Sequence, residues 1–350
     1  MYVRHLLAAT VVLGSVALAQ PAAASARAFV PCNAAALQTA VVAANTAGGG
    51  TLDLSPACTY TLTTPAVGDN GLAVITTPIR INGNLATITR ATSAADFRFF
   101  EVGGTGNLTL NAVKLSNGRA INGGAIQVST AGARLTLVGS TVTGNTATAV
   151  GGGGILNFGT AEINGSTLRN NTGFLGGAFN SQANSTTTFK NSTVSGNHGV
   201  VGGGLGILGT VTLNGTRIAS NDATGSGAFG GGVANGGTLT VTGGLTHDNV
   251  ANGANAHGGG LYNQGTLKVT SNVLSGNAAT GTNARGGAIY IEGGGSTLEK
   301  LTILANRATG TDATGGAIFR QSGAVLYAGN TLAGNKPNNC GNPSTVAGCA

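Results

Sequence analysis

The chain has 350 residues, of which 62 are glycine and 8% are charged, with no tryptophan and a formal net charge of +7. Seven prolines exclude collagen, which couples glycine at every third position to abundant proline, and a hydrophobic content of 41% excludes simple disorder. The basic residues are scattered, with neither a basic run nor a nucleic-acid-binding motif, so nucleic acid is disfavoured, while charge otherwise discriminates little and leaves an anionic polymer such as an acidic polysaccharide open.

In chain order, residues 1–26 read as a secretory signal peptide. Arg4 and His5 precede an apolar run from Leu6 to Ala19, and Ala24-Ser25-Ala26 supplies the small residues of a peptidase site. That run is shorter than the about 20 residues a bilayer span needs. The expectation is an exported, extracellular or surface-associated chain starting at Arg27, with no transmembrane segment after cleavage.

Cys32 and Cys58 lie near the start of the mature chain, and Cys340 and Cys349 near its end. Four cysteines allow three connectivities, but an elongated fold keeps its ends apart, so two local pairs are expected, each pinning one terminus. Zinc is disfavoured because no histidine stands beside either pair. Residues 27–60 are read as an N-terminal cap and first coil, with the alanine-rich stretch Asn33–Ala44 as a short helix over that coil. Residues 61–335 form the repeat region and 336–350 a C-terminal cap, because exposed solenoid ends invite aggregation.

Gly-Gly followed by Ala or Gly and an apolar residue begins at Gly123, Gly152, Gly176, Gly202, Gly230, Gly258, Gly286 and Gly315, at spacings of 24 to 29 residues. In phase with it run Asn145, Asn171, Asn197, Asn221, Asn249, Asn277, Asn306 and Asn335. Eight positions before each asparagine every residue is apolar, from Leu137 and Ile163 to Leu298 and Tyr327. Local alternation has period two, as in Thr238-Leu239-Thr240-Val241-Thr242, so the segments are strands. Short strands at this repeat length make an all-β parallel solenoid of about ten coils with about three strands each. The glycine pairs permit sharp turns and close backbone approach. The asparagines are expected to take the left-handed conformation and to bond amide to amide.

The GGAI, GGGI and GGGL units with an aliphatic-x-x-Asn tail resemble secreted right-handed parallel β-helix proteins of the pectate-lyase-like superfamily. They are also similar to the repeats of chlamydial polymorphic outer-membrane proteins. The resemblance covers Cys32 to Cys349 and implies a right-handed, passenger-type solenoid. The aliphatic residues Val142, Leu168 and Val194 stand where the outer-membrane repeats usually carry Phe, and their terminal membrane barrel has no counterpart here.

That superfamily includes polysaccharide lyases and hydrolases, so the resemblance implies that catalytic groups could stand on the solenoid. The signatures NTD, GHG, RIK, WIDH and RxPxxR are absent. No two of the acids Glu162, Asp222, Asp248, Glu292, Glu299 and Asp312 share a column in adjacent coils, whereas glycosidic hydrolysis ordinarily needs facing carboxylates. The nearest candidate catalytic cluster is His198, Asp222 and Asp248 at the asparagine turn, with His247 alongside, read against a surface ion pair. His257-Gly258-Gly259-Gly260 mimics an oxyanion motif but belongs to the repeat, and no G-x-S-x-G accompanies it.

Two residues after the glycine unit stands the column Gln127, Leu156, Asn180, Gly206, Ala234, Tyr262, Tyr290 and Phe319. Ile289 and Ile291 point inward, so Tyr290 is expected to point out. Tyr262, Tyr290 and Phe319, with His257 and Arg285 nearby, then form a ligand-binding stripe suited to sugar rings, or an aromatic ladder covered by a loop. A threonine column, among them Thr188, Thr212 and Thr240, resembles ice-binding arrays but is broken by Glu162, Lys268 and Leu326. The expected function is a secreted, adhesin-like polysaccharide-binding protein without cofactor or metal. The alternatives are a polysaccharide lyase or glycoside hydrolase, for which calcium would be the cofactor if a lyase, and a structural scaffold.

Overall fold

The computed structural model describes residues 27–341 together with Val346 and Cys349; the expected signal peptide lies outside the described residues. The chain winds as an all-β parallel solenoid whose coils stack into long sheets. A twelve-stranded sheet runs from Arg27–Val30 to Ala324–Ala328, an eleven-stranded sheet from Thr59–Leu62 to Thr331–Ala333, and a nine-stranded sheet from Phe100–Val102 to Ile318–Arg320. A five-stranded sheet, His198–Gly199 to Arg307–Thr309, forms a fourth, shorter face. Eleven coils result, close to the number expected.

Within a coil, strict alternation decides the inside. In Thr238–Thr242, Leu239 and Val241 are buried while Thr238 and Thr242 are exposed, and Leu239 pairs with Leu267 of the next coil. One inward column is therefore a continuous apolar ladder, Leu137, Ile163, Phe189, Leu213 and Val241 among its members, while its neighbour is interrupted by the buried Thr187 and Ser296.

The asparagine column is buried. Asn221 donates from its backbone N–H and its Nδ2 to Asn249 Oδ1, at 3.0 and 2.9 Å, and from Nδ2 also to the Val194 carbonyl at 3.0 Å. The same pattern repeats from Asn145 to Asn335. The amide-to-amide bonding is as expected, but the left-handed conformation belongs to the preceding residue, for example Gly196, Asp248 and Ala305, with φ of 62°, 53° and 53°. Placing the bend one residue earlier leaves the asparagine free to aim its amide along the stack. In the glycine pairs, Gly230 has φ of 64°, and a Cβ on Gly231 would lie 2.4 Å from the Gly259 carbonyl oxygen, so the first glycine turns and the second admits the next coil.

The N-terminal cap forms as anticipated. Helix α1 (Ala34–Thr46) starts at Asn33, whose Oδ1 accepts the Ala35 N–H at 2.8 Å, and it buries Leu37, Val41 and Ala44. Disulfides join Cys32 to Cys58 and Cys340 to Cys349, the two local pairings expected. No helix among the described residues is long and apolar enough to cross a membrane.

Candidate functional site: a trough on the nine-stranded sheet

Asn180, Gly206, Ala234, Tyr262, Tyr290 and Phe319 are in register as the middle residues of adjacent strands in the nine-stranded sheet. Their side chains project away from the barrel interior, as alternation requires. The aromatic members stack nearly in parallel, with centroids 5.6 Å apart for Tyr262 and Tyr290 and 5.4 Å for Tyr290 and Phe319.

They do not form an open stripe. Tyr262, Tyr290 and Phe319 are only 8%, 2% and 1% exposed. A second ladder, Leu175, Val201, Phe229, His257, Arg285 and Thr314, carried by the loops entering each glycine pair, lies over the first. Phe229, His257 and Arg285 each cover the inner ring of the following coil. Phe229 stacks on Tyr262 at 4.7 Å, His257 on Tyr290 at 4.1 Å, and the Arg285 guanidinium sits 4.8 Å from the Phe319 centroid. Tyr290 donates its hydroxyl to Gln321 Oε1 at 2.6 Å. Burial, reinforced by the nearby Arg285 charge, lowers the His257 pKa to about 4, and burial raises that of Tyr290. The exposure expected from strand alternation is corrected here, since alternation fixes the side of the strand and the overlying loops fix access.

Where the inner column shrinks, the space above it is no longer filled by rings, although Asn180 and Ala234 themselves are only 1% and 4% exposed. Gly206 and Ala234 leave the outer ladder without aromatic rings to lie on, and a trough of about 350 Å³ opens over them. Its floor is Asn180, Gly206 and Ala234, one wall is Leu175, Val201 and Phe229, and Tyr262 closes one end. The opposite wall comes from the turn residues following each strand, Leu208, Gly236, Gln264 and Glu292. The floor amide is fixed: Asn180 Nδ2 donates to the Gly206 carbonyl at 3.0 Å and its Oδ1 accepts from Gln182 Nε2. Gln264 and Glu292 were not identified as site residues from the sequence. The signal was the drop from Tyr262 to Ala234 and Gly206 in a column already recognised.

The His198, Asp222 and Asp248 cluster is only partly assembled. His198 and Asp222 are register partners on the five-stranded sheet, with His198 Nδ1 2.6 Å from Asp222 Oδ2, and His198 Nε2 lies 3.2 Å from Thr224 Oγ1. Asp248 is not with them. It occupies the left-handed position before Asn249, and its Oδ2 meets His247 Nδ1 at 2.7 Å. The side chains of His198 and Asp222 are 45% and 42% exposed. His198 also borders a second groove of about 360 Å³ with Thr148, Val150, Phe174 and Val200. A ridge built by Phe174-Leu175 and Val200-Val201 divides the two grooves, the first residue of each pair facing His198 and the second facing the trough. Among the described residues no group of three or more His, Cys, Asp or Glu side chains is arranged to hold a metal ion.

No family model matches the sequence, and no curated protein matches it. Solved structures do match the fold. The A-module of the Azotobacter vinelandii mannuronan C-5 epimerase AlgE4 is similar with a TM-score of 0.55 at 15% identity, over 90% of this chain and 95% of that one. The corresponding AlgE6 module of the same organism aligns with a TM-score of 0.47 at 14% identity, over 89% and 96% of the two chains. An alginate lyase from Paenibacillus aligns at 0.38 and 14% identity, over 90% and 99%. What the AlgE4 module shares with this chain is the parallel β-solenoid.

Proposed function

We propose that this protein acts outside the cell as a polysaccharide-binding solenoid of the pectate-lyase-like kind, holding a polymer chain in the trough along the nine-stranded sheet. The observation that carries the reading is the step from Tyr262 to Ala234 and Gly206, which opens an elongated groove with an apolar wall, an aromatic end and a polar rim. Concave apolar surface with few polar groups is the usual form of a ligand site. The groove follows the stacking axis, and three rungs at about 4.8 Å give roughly 10 Å of floor for an extended chain. The AlgE4 module, which has this fold, is named for a reaction on mannuronan, a polysaccharide. Glu292 is the trough's one carboxylate, so the paired-carboxylate route of glycoside hydrolysis has no second partner there.

A second reading, an enzyme acting on a polysaccharide, is favoured by the His198 geometry. A hydroxyl on one imidazole nitrogen and a carboxylate on the other is the arrangement in which a base is oriented and can take a proton. The epimerase named above weighs toward this reading more than toward a non-catalytic adhesin, while the lining of the trough weighs toward binding. Incubation with a polymer panel, followed by size and unsaturation analysis, separates them. Depletion of intact polymer that is lost in Ala234→Phe supports the binding trough. Shortened, unsaturated or epimerised product that is lost in His198→Ala supports the enzyme, and no depletion or turnover with any polymer refutes both.

A further inference from the structure

We infer that the chain accepted by the trough is built of hydroxyl- or amino-bearing sugars without carboxylates, and not of uronates. The inference rests on the reading of the trough as a polysaccharide site and concerns which polymer it takes. Of the lining side chains only Tyr262 and Glu292 are titratable, and Lys, Arg and His contribute none. Glu292 has no ion-pair partner among the described residues, where the recorded pairs involve Asp53, Asp69, Asp96, Glu101, Asp222 and Asp248. Its backbone is held on both sides, the N–H donating to the Asn263 carbonyl at 2.8 Å and the carbonyl accepting from Ser322 Oγ, which fixes the point on the wall from which the side chain springs.

Neither Arg285, whose buried Nε has no hydrogen-bond partner, nor Arg320 lines the trough. Arg285 lies over Phe319, and Arg320 donates from Nε to the Gly323 carbonyl at 2.8 Å. The fixed charge of the trough is thus a single uncompensated negative one, facing an apolar wall that raises its influence by excluding water. A uronate chain would bring a carboxylate with every sugar into this field, with no cation to receive it. An uncharged chain presents hydroxyl donors to an acceptor-only carboxylate and to the Gln264 amide, and an amino sugar adds an ammonium to pair with Glu292. The net charge of +7, taken alone, leaves an acidic polymer open; the trough's own lining disfavours one.

The test compares hydroxyethylcellulose, chitosan and polymannuronate of matched length by affinity depletion at physiological salt, using the whole secreted chain and its Glu292→Gln and Ala234→Phe variants. Only binding lost in Ala234→Phe is scored as trough binding, which removes polyanion adhering to the basic exterior. The expected result is trough binding of the neutral or amino polymer at least about tenfold tighter than polymannuronate, with the gap to polymannuronate narrowed several-fold in Glu292→Gln. Polymannuronate bound in the trough as tightly as the others, with Glu292→Gln leaving the ratio unchanged, overturns the inference and leaves the polysaccharide reading standing. Failure of every polymer to show binding sensitive to Ala234→Phe overturns both.

Discussion

The imidazole of His257 lies flat on the ring of Tyr290, with centroids 4.1 Å apart and planes 7° from parallel. The contact holds the outer ladder of one coil to the inner ladder of the next, and it favours a neutral imidazole because burial and Arg285 oppose a second positive charge. In the unfolded chain His257 takes a proton near 6.5, its ordinary value, whereas in the folded protein it does so only at about 4. Above pH 6.5 both states are neutral and nothing is lost. Between 6.5 and 4 the unfolded state binds the proton and the folded state does not, so stability falls with pH; below 4 the loss stops growing. Melting temperatures of the parent and His257→Phe should run parallel above pH 6.5, with the parent falling more steeply as the pH drops toward 4. Parallel curves throughout would show that this histidine does not carry the effect.

The asparagine ladder predicts a different sensitivity. Asn249 Oδ1 accepts two bonds from Asn221, while its Nδ2 donates to Asn277 Oδ1 at 2.9 Å and to the Ile218 carbonyl at 3.0 Å, all in the interior. Asn249→Ala strands the backbone N–H of Asn221 with no water to replace the lost acceptor. An unsatisfied buried group costs about 1–3 kcal/mol, so a loss in that range is expected in urea unfolding. A loss below about 1 kcal/mol would mean that the coils slide to re-pair the amides.

Much of the fold was legible because stacking turns sequence periodicity directly into spatial columns. The asparagine spacing located the ladder, although it placed the left-handed residue one position late: Asn170 and Asp248 occupy that bend, not Asn171 and Asn249. The site was less legible for a reason of geometry. Period-two alternation shows that Tyr290 leaves the barrel interior, but whether it meets solvent depends on the Gly281–Arg285 and Gly253–His257 loops, whose paths are set by backbone bonds between coils such as Arg285 N–H to the Ala256 carbonyl at 3.0 Å. The trough was hidden for the complementary reason, since small residues such as Gly206 and Ala234 become a binding feature only when walls rise on both sides.

At the bend itself, Ala305 is exposed with φ of 53°, in a column where Gly144, Gly196, Gly276 and Gly334 also stand. An L-residue with a Cβ pays roughly 1–2 kcal/mol for this conformation, partly offset by the larger entropy glycine loses on folding. Ala305→Gly should therefore stabilise the protein by about 0.5–1 kcal/mol, read as an increase in the urea midpoint at unchanged m-value. A destabilised variant would show that the alanine methyl contributes packing to the turn that outweighs the strain.

The two grooves make separable predictions because the ridge of Phe174-Leu175 and Val200-Val201 stands between them. Ala234→Phe places a ring where Tyr262, Tyr290 and Phe319 already stack one rung apart, so it should extend the ladder, keep the fold and fill the trough. Polymer depletion should fall at least about tenfold while the melting temperature stays within a few degrees of the parent. His198→Ala removes a half-exposed side chain whose partners Asp222 and Thr224 lie on the five-stranded sheet, and it should leave depletion unchanged. If His198→Ala abolished depletion and Ala234→Phe did not, the polymer would lie on the other side of the ridge, against Val150, Phe174 and Val200. The hydroxyl–imidazole–carboxylate series there would then be the place to look for chemistry, because an imidazole held by Asp222 at 2.6 Å has its tautomer fixed and its second nitrogen aimed at Thr224.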